Sequence, residues 1–135
     1  MSDTEIRDDH KTADAAGGAV TVYTTFPSEA AAATVAEALV GGRLAACANI
    51  LPGVVSIYEW EGKLEREAEV VMLLKTRRAL AAQVIAEVRR LHPYTNPAVV
   101  VLPIVAGSAD YLAWVAAQTG GGETGGGETG GGSAA

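Results

Sequence analysis

Apolar and polar positions alternate with a period of two across residues 44–76, and the rest of the chain is arranged around that stretch. Val55, Ile57 and Glu59 alternate with Val54, Ser56, Tyr58 and Trp60. Beyond Glu61-Gly62, Glu65, Glu67, Glu69, Val71 and Leu73 fall on one face, and Arg66, Ala68, Val70, Met72 and Leu74 on the other. This alternation marks strands, and a short Gly-containing turn between two such runs predicts a hairpin. Each arm is longer than the usual strand of about five or six residues. Pro52 removes a ladder donor and Gly53 permits a bulge, so the first arm is expected to bend, with segments 44–51 and 54–60. Around 70–74 both faces are apolar and need cover on both sides. Helices of one chain cover one face, and a second copy of the chain is the simplest cover for the other.

The flanking pattern supplies the remaining elements. Residues 19–26 (AVTVYTTF) are rich in β-branched and aromatic groups and predict a first strand. Ser28 is a good N-cap for a helix whose buried stripe is Ala32, Val35, Ala36, Leu39 and Val40, and Gly41-Gly42 ends it. Thr76 is the expected cap of a second helix with the stripe Ala81, Val84, Ile85, Val88 and Leu91, closed at His92-Pro93. Residues 97–105 (PAVVVLPIV) read as a buried strand, and 109–118 as a short helix capped by Ser108. The order β-α-β-β-α-β plus a short C-terminal helix predicts an α+β, ferredoxin-like split βαβ domain at 19–118. Its antiparallel sheet would carry helices on one face and leave an apolar face for self-assembly. Residues 1–18 are polar and aperiodic and read as a disordered arm; 119–135, with repeated GGGET, read as a flexible tail.

Composition narrows the function. The net charge of −6 sits mostly in the ends, −3 in residues 1–18 and −2 in the tail, which leaves about −1 for the core. There is no basic stripe with interleaved aromatics, so no nucleic-acid partner is expected. The start lacks a basic region followed by an apolar run, and no apolar run reaches the roughly 18 residues of a membrane helix. With the single cysteine, Cys47, this predicts a soluble cytoplasmic protein without a membrane partner. No GxSxG, Walker loop, HExxH or CxxC occurs, and no nucleophile is paired with a base, so an enzyme is not expected.

Three groups carry candidate chemistry. His92 either complements a helix end or offers an imidazole to a transition metal. Cys47 either packs as a small hydrophobe or serves as a soft ligand, and three copies of either residue converge in a cyclic trimer. Glu65, Glu67 and Glu69 are either a solvated face or oxygen ligands for a cation. Tyr58, Trp60, Tyr94, Tyr111 and Trp114 form an aromatic set suited to a core or an interface.

Taken in order, the segments LAACANILPGVVSIYEWEGKLE, the lysine and threonine of LLKT, HPYTNP, LPI and DYLAWV resemble the CutA divalent-cation tolerance proteins over about 20–118. The resemblance implies a homotrimer whose long hairpins pair across subunits and leave clefts between them. It implies tolerance of, and response to, divalent metals, with Cu(II) or another divalent cation as ligand and no organic cofactor. Carried over residue by residue, it points to His92, Cys47 and Glu67 as metal groups. Tyr58, Trp60, Lys75, Tyr94, Tyr111 and Trp114 would line the intersubunit cleft, with Gly62 at the hairpin tip. The sequence departs from the family at Thr24 and Leu91, which stand where a cysteine and a second histidine are suggested as copper ligands, and at Ala98, where a glutamate is common. Two alternatives accompany this reading: a trimeric sensor similar to the nitrogen-regulatory PII proteins, binding an organic ligand through Lys75, Tyr94 and Trp114, and a purely structural trimer.

Overall fold

The computed structural model describes residues 18–120. Apart from Gly18, Thr119 and Gly120, the predicted arm and tail lie outside the described residues. The elements are β1 (Ala19–Phe26), α1 (Glu29–Gly41), β2 (Cys47–Trp60), β3 (Lys63–Arg77), a 3-10 turn (Arg78–Leu80), α2 (Ala81–Leu91), β4 (Val99–Pro103) and α3 (Ala109–Gln118). The strands form one antiparallel sheet in the order β2-β3-β1-β4.

The core lies between one sheet face and two helices. Val22 and Phe26 from β1 and Val70, Met72 and Leu74 from β3 meet Ala32, Val35, Ala36 and Leu39 of α1 and Val84 and Val88 of α2. Both helical stripes follow the 3.6-residue period. The Ser28 side chain accepts from the Ala31 N–H and caps α1, and Ser108 accepts from the Tyr111 N–H at α3, as predicted. Thr76 does not cap α2. It remains in β3, fully buried, and its hydroxyl donates to the Leu44 carbonyl at 2.7 Å. Here satisfying a loop carbonyl takes precedence over local capping preference, and α2 begins later through the 3-10 turn.

The second face is partly covered by α3. Cys47 lies opposite Lys75 on that face, and its Sγ sits 3.4 Å from the Tyr111 hydroxyl of α3. Arg43 donates to the Gln118 carbonyl and Arg77 to the Thr119 carbonyl, placing cations on the negative end of α3. Val100 and Leu102, on the same face, remain exposed.

The β2–β3 hairpin extends well past the helices. Its turn is the predicted Glu61-Gly62 pair, with φ of 51° and 80°, closed by Trp60 opposite Lys63. Two successive positive φ values match the right-handed twist of the strands. The expected kink is a bulge within one strand: Leu51 pairs with Val71 and Val54 with Glu69, so Pro52-Gly53 oppose only Val70. Gly53 has φ +88°, which its lack of a Cβ permits. The two-against-one count switches which β2 residues share a face with the β3 glutamates. Before the bulge, odd-numbered residues do (Asn49 opposite Leu73); after it, even-numbered ones do (Ser56 opposite Glu67, Tyr58 opposite Glu65). Tyr58 and Trp60 therefore stand on the carboxylate face, while Val55, Ile57 and Leu64 form an exposed apolar stripe behind it.

Candidate functional site

The switched register opens a cleft of about 1000 Å³ between the hairpin and the loop after α2. Tyr58 and Trp60 from β2, Glu67 and Glu69 from β3, Thr25 from β1, and Tyr94, Asn96 and Ala98 from the loop line it. Among the described residues, the two carboxylates are its only charged lining groups.

Glu69 is fixed by two hydroxyls. Ser56 Oγ donates to its Oε1 and the Tyr94 hydroxyl to its Oε2, each at 2.7 Å. Burial, and then the bond to Glu69, push the Tyr94 hydroxyl well above the usual phenol range. Desolvation, followed by the Glu67, Glu65 and Glu69 charges, raises Tyr58 as well. Glu67 makes no hydrogen bond or ion pair among the described residues and is the carboxylate with open lone pairs.

His92 holds the loop in place from behind. Its ring stacks on Phe26 with centroids 4.1 Å apart. Its Nε2 lies 2.7 Å from the Thr25 carbonyl, which can only accept, so Nε2 carries the proton. Its Nδ1 accepts from the Tyr94 N–H at 3.1 Å. Both ring nitrogens are therefore committed to the backbone, and neither presents a lone pair to a metal. Burial lowers the imidazole's proton affinity, with the Thr25 carbonyl and Glu69 opposing that trend.

The structure divides the residues predicted to act together. Tyr58, Trp60, Tyr94 and Glu67 meet in the cleft. Cys47, Lys75, Tyr111 and Trp114 gather at the other end of the sheet. There the rings of Tyr111 and Trp114 lie 5.7 Å apart, Lys75 donates to Asn49 Oδ1 at 2.7 Å, and burial with the Cys47 contact pushes Tyr111 up to about 12. The first group stands at Glu67 and Glu69 of β3 and the second at Lys75, six or more residues away, which is at least about 20 Å at roughly 3.4 Å per residue. Cys47 and His92 of one chain thus share no site. Among the described residues, no three His, Cys, Asp or Glu side chains are grouped to hold a metal. Of the departing positions, Thr24 is fully buried opposite Met72 on the core face, Leu91 packs against the core, and Ala98 lines the cleft. Glu69, read from the alternation as part of the acidic face, lines the cleft, while Ser56, which binds it from β2, was not singled out. The signal for Ser56 was the bulge, which brings it to the glutamate face.

The family described as CutA1 divalent ion tolerance protein matches residues 20–118. The divalent-cation tolerance protein CutA of Thermus thermophilus is 46% identical over 73% of this chain and 96% of its own length. Protein CutA of Homo sapiens is 42% identical over 73% of this chain, and the match spans only 55% of that longer protein. A solved structure described as the periplasmic divalent cation tolerance protein CutA from Archaeoglobus fulgidus superposes with a TM-score of 0.73. It is 38% identical and covers 75% of this chain and 98% of its own. No helix among the described residues is long and apolar enough to cross a membrane.

Proposed function

This chain belongs to the CutA1 divalent ion tolerance family, and we propose that it confers tolerance by binding divalent cations in the acidic cleft of a self-assembled oligomer. One observation carries this above the others: Glu67 and Glu69 face a cleft that no lysine or arginine of the described residues lines. An unneutralised pair of carboxylates attracts a cation and repels an anion. The described residues of one protomer group too few ligands for a metal, so the remaining ligands come from a neighbouring copy.

The assembly is a trimer with ferredoxin-like subunits. The strand order β2-β3-β1-β4 supports the subunit topology, and the hairpin supports the assembly. Val55, Ile57 and Leu64 are 53%, 60% and 79% exposed along one stripe, an arrangement that favours burial against another chain. A three-fold axis presents each cleft with a neighbour's groups. The cation is bound first through carboxylate oxygen, which suits hard divalent ions. Cu(II), which favours imidazole, binds well only where His92 gives up the Tyr94 N–H. Binding without catalysis, and residence in the cytoplasm, complete the proposal.

Calorimetric titration with Mn(II) and Cu(II) tests it. Saturable uptake by the wild type that is lost in Glu67→Gln supports the cleft. Uptake unchanged in that variant, or abolished only by Cys47→Ala, refutes it. The sensor reading that used Lys75 for an anion is disfavoured, because Lys75 lies outside the cleft and is bonded to Asn49.

A further inference from the structure

The cleft has a second chemical character besides its charge. Trp60 and Tyr58 are 58% and 43% exposed, large for aromatic side chains in an otherwise well-packed domain. They occupy alternate positions of one strand, so their rings stand on the same face about 7 Å apart. That spacing lets a cation lie within about 6 Å of both. Tyr94 closes the opposite wall, held by its bond to Glu69 and by the His92 ring behind it.

We propose that this cleft binds a small organic cation, an alkylammonium or guanidinium compound, with Glu67 as its counter-ion and the rings of Tyr58 and Trp60 as its apolar walls. The inference rests on the cleft being the functional site but not on a metal occupying it. Three features favour this class. A cavity of about 1000 Å³ is far larger than a metal ion requires and lies at the upper end of small-molecule sites. An organic cation needs one carboxylate and π-faces, which a single protomer provides, whereas a metal needs several ligands, which the described residues do not group. Glu69 is immobilised by Ser56 and Tyr94, so Glu67 is left to pair with the ligand while Glu69 adds field. Anions of similar size are excluded by the two negative charges.

Tryptophan fluorescence and calorimetry on the full chain, titrated with tetramethylammonium, agmatine, benzoate and Mn(II), test the inference. The expected result is saturable quenching by both organic cations and none by benzoate. Glu67→Gln weakens agmatine binding about tenfold or more, as loss of a charged partner does. Trp60→Leu abolishes the calorimetric tetramethylammonium signal while size-exclusion elution stays unchanged. An equal response to benzoate, or none to either cation at millimolar concentration, overturns the inference. Mn(II) uptake without either organic cation removes this inference and keeps the metal reading. Organic cations bound without Mn(II) do the reverse, and binding of neither removes both.

Discussion

Acidification should loosen the cleft through a single imidazole. His92 is neutral in the fold, with its proton on Nε2 facing the Thr25 carbonyl and the Nδ1 lone pair accepting the Tyr94 N–H. Adding a proton to Nδ1 sets two donors against each other at a site where the ring is buried and stacked on Phe26. The broken bond is worth about 1 kcal/mol, and leaving the Tyr94 N–H without an acceptor adds about 1–3 kcal/mol. Burial lowers the His92 pKa below its ordinary value near 6.5. The unfolded chain therefore binds the proton first as pH falls, and stability must drop with it. The contribution is complete above pH ~6.5 and is lost toward the folded-state pKa, at up to about 1.4 kcal/mol per pH unit for each chain. Urea unfolding from pH 8 to pH 5, compared between wild type and His92→Gln, measures the slope. Imidazole nitrogen shifts in the same range report the tautomer. A His92 that titrates at or above 6.5, or that shows an Nδ1–H tautomer at pH 8, would refute this account of the loop.

Other perturbations reach the remaining parts of the structure. Tyr94→Phe removes the hydroxyl from Glu69 and should cost about 1.5–3 kcal/mol in denaturant unfolding, since the acceptor is charged; a change below 0.5 kcal/mol would mean that the bond is not formed in solution. Gly53→Val forces a branched side chain to φ +88°, where no neighbouring atom obstructs a Cβ, so the expected loss is conformational strain of about 1–2 kcal/mol. If its Tm is unchanged, the bulge geometry is wrong. Ile57→Lys places a charge in the exposed stripe of the hairpin. It should dissociate the oligomer in sedimentation experiments while leaving the circular dichroism of the subunit intact.

The hairpin, its turn and both serine caps were legible because each rests on local chemistry. Gly62 takes its positive φ freely and closes the two-residue turn, and Ser28 finds its N–H within its own first helical turn. Thr76 was misread because its partner, the Leu44 carbonyl, is 32 positions away in sequence. The candidate site was half legible for a related reason. Period two assigns residues to a face but not to a place along it, and a 15-residue strand such as β3 spans about 50 Å. Lys75 and Glu67 thus share a face without sharing a site, and Cys47 follows Lys75. The position of the bulge was visible in Pro52-Gly53. Its consequence, that Tyr58 and Trp60 join the glutamates and Ile57 does not, required the register.

Native mass spectrometry of the full chain, with Mn(II) or Cu(II) titrated against a chelated control, tests the central claim most directly because it counts subunits and cations together. The account predicts a trimer that takes up a fixed number of divalent ions and loses them in Glu67→Gln. A monomer, or a trimer that binds no stoichiometric cation, would contradict it.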